Sequence, residues 1–229
     1  GVVELEGIGG EIGAVRTDLH LEIGIEPMDA AVQQQLEIAL LPQIQGDRGL
    51  FLDGHPFRLR RDGAALVNLG STFTNMTMLV GNRSVFWRDI TWGGHRFTDK
   101  LMEDWGVSRE GAELLKRGIP AEGRSPDEVE PSLNAISDAF ADELSRNIDF
   151  FRSSFKVDRL DRIFLSGGGA KVAGLTDVLG DKLRVSVDRL NPFQLLELDD
   201  RSVDPAAVRE IGCAAAVVVG LALRHGGDR

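Results

Sequence analysis

Cysteine is almost missing from the 229 residues: Cys213 stands alone, so it closes no disulfide within the chain and completes no cysteine-based zinc site. A chain that manages without disulfides reads as one adapted to a reducing compartment, and the expectation is a cytoplasmic protein. Long hydrophobic runs are missing as well. The longest, residues 213–223, spans about eleven residues against the roughly twenty needed to cross a bilayer. The first residues, Gly1-Val2-Val3-Glu4, carry neither a methionine nor a basic stretch before an apolar one, so no secretory signal is expected. Positive charge is scarce, with 26 Lys and Arg against 36 Asp and Glu and a net charge of −10. That field repels phosphate backbones and argues against nonspecific nucleic-acid binding. The four histidines, His20, His55, His95 and His225, lie far apart in sequence, and no metal ligand set is expected from them. Ser166 lacks the Gly-x-Ser-x-Gly elbow of a hydrolase nucleophile. No internal repeat and no low-complexity tract occurs.

What remains is ordinary globular material, 42% hydrophobic and 27% charged, in a chain long enough to bury about 70% of its unfolded surface. Residues 2–5 suit a short strand before the glycines Gly7, Gly9, Gly10 and Gly13, whose spacing fits neither the Walker pattern nor the dinucleotide fingerprint. Residues 19–25 alternate apolar and polar as a half-buried strand does, and Pro27 suits the first turn of a helix ending before Pro42. Residues 50–59 read as a hairpin turning at Asp53-Gly54. Residues 64–69, 74–80 and 84–90 read as an antiparallel meander, with Gly81-Asn82 at its second turn. The period then becomes helical. Phe97, Leu101, Met102 and Trp105 share one face, and a second short helix is predicted over 108–117. Residues 118–131, rich in Pro, Gly and acid, read as a solvated loop. Leu133, Ile136, Phe140, Leu144, Ile148, Phe151 and Phe155 form a stripe that must face a core over some five turns. A strand over 161–165, a glycine turn, a helix over 175–183, a strand over 185–187 and a small-residue helix over 205–224 complete the chain. Trp87, Trp92 and Trp105 read as core or rim residues, and Asp199-Asp200 as a solvated loop.

Three constellations offer chemistry. The first is Leu66-Val67-Asn68-Leu69-Gly70-Ser71-Thr72-Phe73-Thr74, two strands around a glycine turn whose backbone N–H groups and hydroxyls can wrap phosphate oxygens; an ordinary hairpin is the competing reading. The second is Glu113 and Lys116, three apart on one helix face, able to hold a ribose through its hydroxyls or to form a plain solvated ion pair. The third is Ile163-Phe164-Leu165-Ser166 entering Gly167-Gly168-Gly169-Ala170, where three glycines offer either a flat shelf for a purine or room for close helix–strand packing.

Taken in order, these motifs resemble the C-terminal half of an actin-like ATPase fold, and more closely the type IV pilus assembly protein PilM family, with the cell-division protein FtsA as a more distant relative. The resemblance is carried by Leu66 to Gly70 with Thr74, by Phe86-Trp87-Arg88-Asp89-Ile90 into Gly93-Gly94 and Phe97-Thr98, and by Glu113 to Gly118. Asn147-Ile148-Asp149-Phe150-Phe151-Arg152, Ile163 to Gly169, and Asn191-Pro192-Phe193 before Gly220-Leu221-Ala222-Leu223 continue it, over about residues 24–225. It implies an α/β, actin-like (ribonuclease H-like) mixed sheet flanked by helices, and an incomplete one. Residues 1–61 would be a remnant of the first lobe, 62–204 the second lobe with a helical insertion at 94–155, and 205–229 a helix returning to the first lobe. It also implies ATP, carried with magnesium. Asn68, Gly70, Ser71, Thr72 and Thr74 would form a phosphate loop, Glu113 and Lys116 the ribose contacts, and Gly167, Gly168 and Gly169 the adenosine shelf. Where the family pattern usually has an aspartate that organises magnesium and water, this chain has Asn68, a poor metal ligand or base, so little hydrolysis is expected. No first phosphate loop is recognisable in residues 1–23, so half of the cleft, and the face that takes the N-terminal peptide of the membrane partner PilN, is expected to be reduced or absent. The function implied is a nucleotide-binding scaffold of pilus assembly and twitching motility, held at the inner membrane through a PilN-type partner and open to self-association. A protein-binding module without nucleotide, or a small-molecule kinase of the same superfamily, are the alternatives.

Overall fold

A computed structural model describes residues 50–52, 55–57, 63–80, 83–157, 159–195 and 204–222. The chain divides into two compact units, Leu59–Leu190 and a second made of Gly1–Arg58 with Asn191–Arg229. The expected strands at 2–5 and 19–25, the glycine cluster at 7–13, the helix after Pro27, the Gly81-Asn82 turn and Asp199-Asp200 all lie outside the described residues.

The larger unit is built on three consecutive antiparallel strands, β3 (Gly63–Leu69), β4 (Thr74–Val80) and β5 (Arg83–Ile90). β6 (Leu160–Ser166) then pairs parallel to β3, and β7 (Ser186–Arg189) parallel to β6, giving the order β5-β4-β3-β6-β7. Every residue of β3 is buried, as befits the centre of a sheet covered on both faces. Between β5 and β6 come three helices, α1 (His95–Trp105), α2 (Arg109–Lys116) and α3 (Pro126–Phe155), and between β6 and β7 comes α4 (Leu175–Leu183). The smaller unit contains a hairpin of β1 (Leu50–Leu52) and β2 (His55–Phe57), then α5 (Pro205–Ile211) and α6 (Ala216–Ala222).

α3 is 30 residues long and starts earlier than expected. The Ser125 hydroxyl accepts from the Glu128 N–H while the Glu128 carboxylate accepts from the Ser125 N–H, a reciprocal cap with Pro126 at the first helical position. Residues 126–131, read as loop, are therefore helix, with Pro131 in the second turn at the loss of one backbone bond. Five of the seven stripe residues are buried; Ile136 is half-buried, and Phe155 is exposed near the helix end. Phe86 of β5 lies against this helix, its ring 5.8 Å from Phe150 and 6.0 Å from Phe151. Trp92, buried after β5, stacks on Phe140 at 5.8 Å, whereas Trp87 is exposed and Trp105 half-buried.

The closing helix is not continuous. A 3-10 turn over Gly212–Ala214 separates α5 from α6, and the two helical pieces are bent by 98°. Asn191 packs against the break: its Oδ1 lies 2.9 Å from where a Cβ on Gly212 would stand, so a larger residue would not fit at 212 without a shift. No single described helix is long and apolar enough to span a membrane.

Candidate functional site

The first constellation folds as a closed turn. Gly70 N–H donates to the Phe73 carbonyl at 3.0 Å, and a Cβ at Gly70 would meet that oxygen at 2.9 Å. Ser71 and Thr72 are exposed on the turn. Thr74 is not: fully buried, it donates its hydroxyl to the Trp92 carbonyl at 2.7 Å and so ties the start of β4 to the segment after β5. That segment crosses the turn at close range. A Cβ on Gly93 would fall 2.1 Å from the Ser71 carbonyl oxygen, so only glycine fits there. Gly94 N–H donates to the Gly70 carbonyl at 2.8 Å, and both the N–H and Nδ1 of His95 reach the Ser71 carbonyl, at 2.9 and 2.7 Å. An acceptor at that distance requires the proton on Nδ1.

The second constellation is more buried than a helical Glu–Lys pair ordinarily is. Lys116 is 7% exposed, and its ammonium donates to Glu113 at 2.7 Å, to the Thr98 hydroxyl at 2.9 Å and to the Gly94 carbonyl at 3.5 Å. Three donors thus meet three acceptors from α2, α1 and the glycine crossing. Thr98 donates in turn to Glu113 at 2.5 Å. Burial pushes the Glu113 carboxyl upward, but hydrogen bonds from Lys116 and Thr98 and the Lys116 charge outweigh it and hold the group below its ordinary value. Of the two readings of this pair, the solvated one is corrected for Lys116 and kept in part for Glu113, which remains half-exposed.

The third constellation divides its three glycines between two jobs. Gly167 has a φ of +87°, and a Cβ there would stand 2.5 Å from both Asn68 Oδ1 and the Leu69 carbonyl oxygen. Gly169 would place a Cβ 2.3 Å from Leu69 Cγ. Both are demanded by fit against the end of β3. Gly168 is exposed with nothing within 4 Å of its Cβ position, so it alone offers bare backbone to whatever approaches.

All three constellations meet at Gly94, which the sequence argument left out of the site. Its N–H bonds the Gly70 turn, its carbonyl bonds Lys116, and its Cβ position is 3.6 Å from the Gly169 Cα. A further link runs from Ala173 N–H to the Lys116 carbonyl at 2.9 Å. Thr98, Gly93 and His95 also belong to this cluster, and the Gly93-Gly94 pair opening a helix is the signal that could have drawn them in. Asn68 is buried and uncharged; its Nδ2 points to Asn75 Oδ1 at 3.4 Å. Among the described residues no group of three or more His, Cys, Asp or Glu is placed to hold a metal ion.

A mixed five-stranded sheet with helices, and glycine turns gathered at one end of it, defines an actin-like α/β fold. Solved structures of that class match: the ethanolamine utilization protein EutJ from Carboxydothermus hydrogenoformans (14% identity, TM-score 0.53) and the archaeal actin homolog Ta0583 (15%, 0.50), each over 82% of this chain and 53% of theirs. A PilM-PilN type IV pilus biogenesis complex matches at 27% identity with a TM-score of 0.63, over 82% of this chain and 50% of that one. The family model for the type IV pilus assembly protein PilM matches residues 55–226, and the chain belongs to that family. It spans about half the length of the solved structures it matches.

Proposed function

We propose that this chain forms the second-lobe part of a nucleotide-binding scaffold in type IV pilus assembly, which binds ATP with little hydrolysis and docks to a membrane-anchored PilN-type partner at the cytoplasmic face. The observation that carries the reading is the convergence on Gly94 of the Gly70 turn, the Glu113–Lys116 pair and the glycine turn at 167–169, within a member of the PilM family. ATP fits what the residues present. Gly168 leaves open backbone for the base, the Glu113 carboxylate stays anionic and half-exposed for ribose hydroxyls, and Ser71 and Thr72 are exposed at the phosphate end. Magnesium chemistry fits less well, because Asn68 supplies no charge and its one possible ligand atom, Oδ1, lies against Gly167. Slow hydrolysis follows. A second reading, a protein-binding module without nucleotide, is favoured by the way Lys116 is saturated by internal acceptors.

Titration with a fluorescent ATP analogue tests the proposal. Gly168→Leu adds a side chain into open space and leaves the fold unstrained, so it is expected to weaken binding by about tenfold or more through steric exclusion. Unchanged affinity in that variant removes Gly168 from the base contact, and no binding by the unaltered chain overturns the nucleotide reading in favour of the second. Binding of the N-terminal peptide of a PilN-type protein, followed by anisotropy with and without ATP, tests the partner.

A further inference from the structure

Strand pairing aligns one polar residue from each of four strands across the end of the sheet that carries the Gly70 and Gly167 turns. Asp89 of β5 lies opposite Asn75 of β4, Asn75 opposite Asn68 of β3, and Asn68 opposite Ser166 of β6. Residues directly opposite in a sheet point to the same face, so the four form a row. The next row on that face, Trp87, Thr77, Leu66 and Phe164, is mostly apolar.

The direction of the hydrogen bonds along the row is set from one end. A carboxylate only accepts, so Asn75 must turn its amide nitrogen to Asp89, and Nδ2 is 2.6 Å from Asp89 Oδ1. That turns Asn75 Oδ1 toward Asn68, which answers with its own Nδ2 at 3.4 Å. Asn68 Oδ1 is thereby left against the Gly167 backbone, 2.5 Å from the Cβ that residue 167 lacks. An isolated asparagine has no preference between its two amide orientations; here the charge two strands away chooses for both.

We propose that Asp89 is a positioning residue of the nucleotide site: through Asn75 it fixes the Asn68 amide between β4 and the glycine turn, and by holding the row's negative charge on the outer strand it disfavours a carboxylate at position 68. The consequence for nucleotide rests on the function proposed above, whereas the coupling between positions 68 and 89 rests on the row alone. Asn68→Asp by itself puts an acceptor against Asn75 Oδ1; if Asn75 flips to donate, its oxygen then faces Asp89. Either way one acceptor–acceptor contact is left, or the exposed Asp89 carboxylate turns to water and its bond to Asn75 is lost. Asn68→Asp with Asp89→Asn reverses every bond in the row and leaves none unsatisfied, with the charge moved to position 68.

Urea unfolding of the full chain, without nucleotide, measures this. Asn68→Asp is expected to lower the folding equilibrium constant about tenfold more when Asp89 is present than when Asp89→Asn accompanies it, within the usual range for groups sharing one network. If Asn68→Asp alone does not fold while the double variant does, the coupling is shown in its strongest form. The Asn75 side-chain amide resonance gives a second readout, shifting in Asp89→Ala and keeping its place in Asp89→Asn, where an acceptor remains. With the fluorescent ATP analogue, Asp89→Ala is expected to weaken binding about tenfold and Asp89→Asn less than threefold. Equal losses from Asn68→Asp in both backgrounds, or an Asn75 resonance indifferent to Asp89→Ala, would overturn the proposal. Absence of ATP binding in the unaltered chain would remove the nucleotide reading, and the urea cycle would still decide the row.

Discussion

Replacing Lys116 with methionine keeps most of the stem and removes the charge, and the structure sets what that costs. The ammonium makes three hydrogen bonds, one to a carboxylate, from a side chain that is 9% exposed, while its partner Glu113 is 46% exposed. Breaking a fully buried pair costs about 3–5 kcal/mol, and an exposed one 0–1 kcal/mol. Glu113 can rehydrate and keeps its bond from Thr98, so the value belongs near the middle, about 2 kcal/mol. Lys116→Ala adds the loss of three packed methylenes at about 0.8 kcal/mol each, for a total of roughly 4–5 kcal/mol. Against a domain stability of about 5–15 kcal/mol the methionine variant stays folded, and urea unfolding at pH 7 reads the difference. The sign of its pH dependence is fixed by Glu113, whose carboxyl titrates lower in the folded chain than in the unfolded one. Such a group stabilises the fold above its unfolded value, about 4.3–4.5, and the contribution is lost as pH falls through the folded value. The gap between wild type and Lys116→Met should therefore close in acid. A methionine variant within about 0.5 kcal/mol of wild type at pH 7, or a gap that widens in acid, would refute the placement of this ammonium as an internal tie.

Gly167→Ala should destabilise by about 2–4 kcal/mol, because it strains a left-handed backbone and strikes Asn68 and Leu69, while Gly168→Ala should cost about 1 kcal/mol or less in the same unfolding assay. Ser125→Ala removes the α3 cap and should cost about 1 kcal/mol, with helicity by circular dichroism little changed. Phe140→Ala should cost about 3–5 kcal/mol and shift the fluorescence of Trp92, which stacks on it. α6 exposes Val218 and Leu221, and Val218→Ser with Leu221→Ser should reduce any concentration-dependent increase in elution size of the chain.

The fold was legible wherever a pattern repeats. β4 and α4 follow period-two and helical signals closely enough to be bounded from the sequence, as does most of α3. The first turn of α3 was misread because two prolines and three acids within six residues look like loop, although Ser125 and Glu128, three apart with Pro126 between them, already spell a helix start. The break between α5 and α6 carries no such local mark. Ala214 to Ala216 suit a helix, and the side chain that packs against Gly212 at the break, Asn191, comes some twenty residues earlier in the chain. Lys116 belongs to the same class. A Glu–Lys pair on one helix face is ordinarily solvated, and only Thr98 and the Gly94 carbonyl, both long-range partners, turn it inward.

The Asp89 row shows most sharply where sequence reasoning ends. Val80 pairs with Arg83 and Leu79 with Ser84, but Met78 pairs with Phe86, because β5 carries one extra residue at that point. A bulge of this kind shifts every later pair by one position, and a one-residue shift exchanges the two faces of a strand. Without it, the register set at the turn would place Asn75 opposite Arg88 and send Asp89 to the other face of the sheet. The row would then end in a positive charge where it now ends in a negative one. Arg88 would donate where Asp89 accepts, Asn75 would turn the other way, and Asn68 would present its nitrogen to the glycine turn. No residue type between 78 and 86 announces the bulge. The orientation of a buried amide at the candidate site thus depends on a backbone irregularity about ten residues away along β5 and back along β4, which a motif at Asn68 and Gly70 cannot contain.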